Sequence, residues 1–197
     1  IKGVTSSGKT EIYKKLIHDS LKLNKQVLYL LPEIAIATQM VERLSEVFGD
    51  SLLVYHSKKT VKERLRIWKI IIKSDQGSVI IGTRSAIFLP FRKLDLIIVD
   101  EEHDASFKEN NKSPRFNARD CVTVLSKLMK AKLLIGSATP SIESFYNTEI
   151  NKYSLVELNS RYKNIPLPII EVLDLKSVKK EQMKGFFSPN SILEIES

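Results

Sequence analysis

The octapeptide Gly3-Val4-Thr5-Ser6-Ser7-Gly8-Lys9-Thr10 constrains this chain more than any other stretch. It fits G-x-x-x-x-G-K-[ST], a backbone loop that cradles phosphate. Glycines let the main chain turn tightly and bring its N–H groups against anionic oxygens. Lys9 is placed to put its ammonium on the β- and γ-phosphates of ATP, and the Thr10 hydroxyl to hold Mg²⁺. Such a loop needs a helix directly after it, whose N-terminal N–H groups and dipole meet the anion. Residues 10–23 meet that need, with Ile12, Leu16, Ile17 and Leu21 on one face. Taken alone, the pattern also suits an ordinary Gly/Ser turn before a helix. A buried strand normally leads into this loop. Here only Ile1 and Lys2 precede it, as expected of a fragment cut from a longer protein.

Residues 26–31, 52–55, 79–81, 96–100 and 132–136 are mainly apolar runs, suited to strands buried on both faces of a parallel sheet. Between them, 38–48, 60–73 and 117–130 carry apolar residues at helical spacing, the last capped by Asn117, and 141–146 is a short helix. The inward residues are expected to be Met40, Val41, Leu44, Val47 and Phe48, then Val61, Leu65, Trp68, Ile71 and Ile72, then Ala118, Val122, Leu125 and Leu128. Trp68 therefore reads as packing, not base stacking. Alternating strands and helices mean βαβ units, hence a three-layer α/β domain with a mainly parallel sheet. Near residue 150 the rhythm changes. Stretches 153–158 and 168–173 look like strands, so regions 1–150 and 151–197 are expected to differ.

With 197 residues and 43% hydrophobic content, the chain can bury a sizeable core. No run approaches the ~18 apolar residues of a membrane-spanning helix, so no membrane is expected as a partner. One cysteine, Cys121, excludes an internal disulfide and a cysteine-cage zinc site within this chain. It reads as a buried helix residue in a reducing, cytoplasmic setting. A net charge of +8 favours a polyanionic partner, although a lysine-rich solubilising surface accounts for it equally well.

Asp100-Glu101-Glu102-His103 closes the run 96–100. In nucleotide hydrolases with such a loop, an acid at a strand end completes the Mg²⁺ shell, and a neighbouring acid orients or deprotonates the attacking water. Asp100 takes the metal role and Glu101 the water role, so Lys9, Asp100 and Glu101 form the expected catalytic set. An acidic cap at a sheet edge would look the same locally. It does not account for a place roughly 90 residues after the loop, on the buried strand expected for it.

Gly136-Ser137-Ala138-Thr139-Pro140, again at a strand end, resembles motif III of superfamily 2 helicases. With it stand GVTSSGKTEIY at 3–13, LPEIAIATQ at 31–39, His56-Ser57, Glu63-Arg64 with Trp68, GTRSAIFLPF at 82–91, DEEHDASFK at 100–108, RFNARD at 115–120 and GSATPSIES at 136–144. Together they resemble the PriA family of replication-restart helicases, also called primosomal protein N′, over nearly the whole chain. The D-E-E-H-D form and the T-R-S-A segment separate it from related branch-migration translocases, expected to carry D-E-Q-H. The resemblance implies a RecA-like first helicase lobe, coupling ATP hydrolysis to 3′→5′ movement on DNA at abandoned forks. It also implies an N-terminal DNA-binding region before the lobe, and a zinc-binding insertion and a second RecA-like lobe after it. LPIIEVLDL at 167–175 resembles the segment leading out of the lobe. The implied cofactors are ATP and Mg²⁺, with zinc only in the full-length protein, outside this chain. The implied partners are single-stranded and forked DNA, other primosome proteins and single-strand binding protein.

The resemblance also assigns roles. His103 links the ATP site to Ser137, Ala138 and Thr139, where the plain alternative is a polar strand-end residue. Pro32 and Glu33 match motif Ia. Thr83, Arg84 and Ser85 match motif Ib, and hydroxyls and a guanidinium at a strand end suit phosphate contacts, although a capping turn would use them too. Phe107, Lys108, Arg115 and Phe116 lie in a polar loop able to stack on unpaired bases, or in a surface loop anchored by its phenylalanines. The family's loop usually has glycine where this chain has Ser6, which makes a positive φ there costlier. Two other functions stay open: a catalytically silent scaffold, and a double-strand translocase of the same superfamily.

Overall fold

A computed structural model of the chain describes residues 1–4, 6–32, 39–111 and 113–164, together with 187, 189 and 192. The elements are β1 (Lys2–Gly3), α1 (Lys9–Lys22), β2 (Gln26–Leu30), α2 (Gln39–Phe48), β3 (Leu52–Tyr55), α3 (Val61–Lys73), β4 (Ser78–Gly82) and β5 (Leu94–Asp100), followed by β6 (Lys108–Glu109), β7 (Phe116–Asn117), α4 (Ala118–Met129), β8 (Lys132–Gly136), α5 (Ile142–Glu149) and β9 (Glu157–Leu158). The chain divides into two compact units, Ile1–Asn164 and Ile165–Ser197. The first runs past the residue-150 boundary read from the sequence, because β9 pairs in parallel with β1.

Five strands form one parallel sheet in the order β3-β4-β2-β5-β8. Side chains alternate across it. Val27, Tyr29, Val79, Ile81, Leu96 and Ile98 meet α1 and α2 on one face, through Tyr13, Ile17, Leu44 and Phe48. Leu28, Leu30, Ile80, Ile97 and Val99 meet α3 and α4 on the other, through Ile67, Ile71, Ala118 and Val122. Each fully buried aliphatic side chain contributes about 1.5–3 kcal/mol, and both faces of β2 and β4 are covered, which is why their runs lack polar alternation. Local signals set the helix starts. Thr60 Oγ1 accepts from the Glu63 N–H at 3.3 Å while the Glu63 carboxylate accepts from the Thr60 N–H at 2.9 Å, a capping box. Asn117 and Ser141 cap α4 and α5.

Sidedness departs from the sequence reading in several places. The buried line of α1 is Lys9, Tyr13, Ile17 and Ser20, so Ile12, Leu16 and Leu21 only flank it. Val47 and Leu128 face solvent. On α3 the core is reached by Ile67 and Ile71, whereas Val61, Leu65, Trp68 and Ile72 are exposed, Trp68 by 41%. A helix lying on a flat sheet buries only its nearest line, and these four sit about 80–140° around the helix from it. Cys121 is half-buried. The strand expected at 153–158 shrinks to the two residues of β9, and the one expected at 168–173 lies outside the described residues.

Parallel strands carry their functional loops at their carboxyl ends, and three such ends converge here. Gly3 donates its N–H to the Ser137 carbonyl at 3.0 Å, so β1 lies beside the segment that follows β8. Asp100 pairs in register with Gly136 across β5 and β8. Gly136 has no room for a side chain, since a Cβ there would lie 1.8 Å from the Tyr13 hydroxyl. Gly136→Ala should therefore lower stability by about 1–3 kcal/mol, the usual cost of overpacking. Tyr13→Phe, by removing that hydroxyl, should recover part of the loss in the double variant. Urea denaturation of the four proteins is the check, and a Gly136→Ala midpoint equal to wild type would contradict the packing.

Candidate functional site

The loop between β1 and α1 turns through left-handed backbone at Ser6 (φ 63°) and Gly8 (φ 89°). Ser6 thus takes the conformation that glycine tolerates better, held by the Tyr162 N–H, which donates to its carbonyl at 2.9 Å. Gly3 is needed for close approach, because a Cβ would stand 2.6 Å from Ser7 Oγ. The buried Lys9 ammonium donates to the Gly3 carbonyl at 2.7 Å. The start of α1 has no side-chain cap, which leaves N–H groups available at its positive end. Ser7 Oγ is buried without a hydrogen-bond partner. An orphaned hydroxyl, an uncapped helix start and a lysine on a backbone carbonyl fit a phosphate group. Val4 is exposed, Thr10 is half-buried, and Thr5 lies outside the described residues.

At the end of β5 the buried Asp100 carboxylate accepts from the Tyr13 hydroxyl at 3.2 Å and the Tyr29 hydroxyl at 3.1 Å. Burial pushes its carboxyl above the ordinary range, against the two phenols and the nearby Lys9. Glu101 follows in a left-handed conformation, φ 50°. Burial, and then the Asp100 charge, raise its carboxyl as well. Its carboxylate lies 3.7 Å from His103 Nδ1. His103 Nδ1 is in turn 2.8 Å from Ser137 Oγ, which accepts from the Thr139 N–H at 3.0 Å. Ala138 lies between them, half-buried. Loop, acid box and 137–139 segment are therefore one assembly. Among the described residues no three His, Cys, Asp or Glu are grouped to hold a metal alone. A magnesium ion suits such a site, since it keeps waters and takes one or two protein ligands beside substrate phosphates. Asp100 and Thr10 would be those ligands.

One residue with a clear structural role was missed. Glu102 is buried, and its carboxylate accepts from Arg119 at 3.1 Å and from the Ser141 N–H at 2.6 Å. The available signal was its place between two site residues in a strand-end acid run.

The residues expected on the DNA side scatter more. Thr83 is buried, and Ser85 Oγ is buried without a partner. Arg84 donates to the Ser106 carbonyl at 2.8 Å and pairs with Glu109 at 3.1 Å. Phe107 is 2% exposed within the α3/α4 core and presents no face to a base, which corrects its assignment to stacking. Lys108 and Arg115 are exposed, and the β6–β7 pair runs Lys108↔Asn117 and Glu109↔Phe116. Phe116 packs edge-on against Phe88, 5.1 Å between centroids. Phe88, which sequence reasoning left aside, is the exposed aromatic of this patch. Pro32 is buried at the end of β2, and Glu33 lies outside the described residues. No helix among the described residues is long and apolar enough to cross a membrane.

Residues 1–148 match the DEAD/DEAH box helicase family. The chain is 49% identical over 179 residues to replication restart protein PriA of Rickettsia felis, a match covering 91% of the chain and 27% of that relative. It is 45% identical over 175 residues to the Haemophilus influenzae protein of the same name, covering 89% and 24%. The chain thus spans about a quarter of the length of the curated relatives it matches. Two solved structures share the fold: the DUF1998 helicase MrfA bound to DNA, with TM-score 0.56 at 17% identity over 82% of this chain and 23% of that one, and the C-terminal domain of the DEAD-box protein Dbp5, with TM-score 0.51 at 10% identity over 81% and 88%.

A carboxyl whose pKa rises on folding favours its protonated form in the fold. Its contribution is full below the unfolded value, about 3.9, and is lost as pH rises through the folded value. Ionised Asp100 therefore weakens the ligand-free fold at neutral pH. Asp100→Asn, which removes the buried charge, should raise the ligand-free melting temperature. It should also abolish any Mg²⁺-dependent gain from nucleotide. Thermal melts at pH 7 with and without Mg-ADP test both, and an Asp100→Asn protein that melts lower and still gains from Mg-ADP contradicts the assignment.

Proposed function

We propose that this chain, which belongs to the DEAD/DEAH box helicase family, is the ATP-binding first motor lobe of a 3′→5′ DNA helicase that acts in replication restart. The observation that carries the reading is the convergence of Lys9, Asp100 and the His103–Ser137 pair at one end of the parallel sheet. Similarity to replication restart proteins PriA supports the biological setting. The same reading brings with it forked and single-stranded DNA, primosome proteins and single-strand binding protein as partners. Zinc elsewhere in the full-length protein and a cytoplasmic location belong to it too. Lys9, Thr10, Asp100 and Glu101 are all present, which weighs against a silent scaffold.

The loop N–H groups and the α1 N-terminus receive the phosphates, and Lys9 exchanges the Gly3 carbonyl for a phosphate oxygen. Asp100 and Thr10 would hold a magnesium ion, which would supply neutralisation of phosphate charge. Glu101, its carboxyl raised by burial and by the Asp100 charge, orients or deprotonates the attacking water. His103 passes the state of the site to Ser137 and so to the 137–139 segment. On the DNA side, Thr83–Ser85 and Pro32–Glu33 contact the strand, with Lys108, Arg115 and Phe116 beside them. These contacts position the backbone without reading sequence.

Lys9→Ala should weaken ADP binding more than tenfold, since each charge-assisted bond contributes about 1.5–3 kcal/mol. Calorimetry decides, and equal binding by both proteins sinks the nucleotide assignment. Turnover needs more than this lobe. Charge developing on the transferred phosphate is met in such enzymes by an arginine finger contributing about 10³–10⁵ in rate. Here Arg84 and Arg119 are committed to Glu109 and Glu102. Residues 1–197 alone should hydrolyse ATP at least about 10³-fold slower than the full-length protein, with no rescue by forked DNA. Brisk, DNA-stimulated turnover of the isolated lobe in a steady-state assay would show that the lobe carries its own finger.

A further inference from the structure

Three consecutive acids end β5, and each has a different environment. Asp100 lies between two phenols and Glu101 is half-exposed in the site. The Glu102 side chain is 1% exposed and lies outside the nucleotide assembly. Its carboxylate accepts four hydrogen bonds: from the Ser141 N–H at 2.6 Å, and from the Ser141 hydroxyl, the Ser144 hydroxyl and Arg119 Nη1 at 3.0, 3.0 and 3.1 Å. Those donors come from the first turn of α4 and from the start of α5, where Ser141 is itself the N-cap. The Glu102 N–H donates to the Gly136 carbonyl at 3.2 Å. One residue thus ties the end of β5 to the end of β8, to α4 and to α5.

A buried ion pair is weak evidence for stability, because an apolar replacement often serves as well. What such a pair specifies is register, and here the register has a visible consequence. Glu101, immediately before it, holds φ 50°, a conformation unfavourable for a residue with a Cβ. Such backbone persists only where the surroundings over-determine it. Asp100 is fixed on one side of Glu101 by Tyr13 and Tyr29, and Glu102 on the other by its five hydrogen bonds. The segment that supplies Ser141 and Ser144 continues directly from Ser137, the partner of His103. We propose that Glu102 is a positioning residue: its carboxylate clamps the acid box to the 137–144 segment, and so holds Glu101 in its working conformation. The proposal rests on the reading of Glu101 as the acid that orients water.

The test uses the full-length protein carrying Glu102→Gln, which keeps the shape and removes the charge. Steady-state ATPase should lose at least about tenfold in kcat, within the up to about 10²-fold cost of a small misplacement of catalytic groups. KM and the calorimetric Kd for Mg-ADP should stay within about twofold, because the loop, Lys9 and Asp100 are untouched. In the ligand-free protein, amide exchange at 101–103 and 137–139 should quicken while the amides of β2 and β4 keep wild-type rates, the mark of a local opening. A merely structural role would move affinity, melting and exchange together. Wild-type kcat, unchanged exchange at 101–103, or an equal fall in kcat and nucleotide affinity each overturns the proposal. If Glu102→Gln does not fold, Arg119→Gln removes the charged donor from the same clamp and is read by the same split, with the same outcomes decisive. Failure of the underlying reading is distinguishable, since Glu101→Gln would then retain wild-type kcat whatever Glu102→Gln does.

Discussion

A carboxylate buried at the end of a parallel strand, held by two tyrosine hydroxyls, organises this lobe. Asp100 cannot ionise there cheaply, and its raised pKa says that the phenols and Lys9 do not fully offset the loss of water. Its donors still dictate the architecture around it. Tyr13 must reach it from α1, so α1 lies close on β2 and β5, and Gly136 on β8 must be glycine to let the hydroxyl pass. Seating α1 in that way also fixes where its N-terminus, and hence the phosphate loop, emerges. The loop and the acid box meet because one buried acid needs a donor from the helix that follows the loop.

That arrangement leaves the site under-compensated in the absence of ligand. Lys9 rests on a backbone carbonyl, Ser7 Oγ has no partner, and two adjacent carboxyls are raised by burial, Glu101 by the Asp100 charge as well. Each of these features is unfavourable for the bare fold and suited to an anion and a cation arriving together. Stability is withheld at the place where binding energy is to be gained, the usual trade between a rigid fold and a working site.

Much of this was legible in the sequence, and the remainder fails for definite reasons. The strands were readable because both sheet faces are covered, so 26–31 and 79–81 had to be continuously apolar. The Gly3–Thr10 turn before α1 and the strand end at Asp100 were readable because both belong to motifs with few residue types at fixed spacing. Ser6 takes the left-handed backbone despite the higher cost expected of serine there. Helix sidedness was less legible. Trp68, Leu65, Val61 and Ile72 have helical spacing, but spacing gives a stripe and not which edge of it touches the sheet. Phe107 looked like a loop aromatic because nothing local says that a short 3₁₀ turn drops it into the core. Charged partners were least legible of all. Arg84 with Glu109 and Arg119 with Glu102 are pairings made by tertiary folding, across stretches that carry no periodic signal.

Those two pairings leave the acid box with two tethers of different strength. On one side Glu102 is gripped by four side-chain bonds from α4 and α5, with its carboxylate almost wholly out of water. On the other side the chain runs from Glu101, whose carbonyl accepts from the Asp104 N–H at 2.9 Å, to the Asp104 carboxylate, which accepts from the Ser106 N–H at 2.7 Å. From there it reaches the Ser106 carbonyl, held by Arg84. This second tether ends on a partly exposed ion pair, Arg84–Glu109. Greater exposure than at Arg119–Glu102 leaves that pair more open to competition from another anion. Contiguity alone does not establish coupling, which needs an element with two arrangements that both sites bias. Arg84 meets that description on the proposed reading, since a DNA phosphate and Glu109 would compete for one guanidinium. The stiff tether would then keep Glu101 in register, while the softer one would let the strand-binding side alter the loop that Glu101 opens.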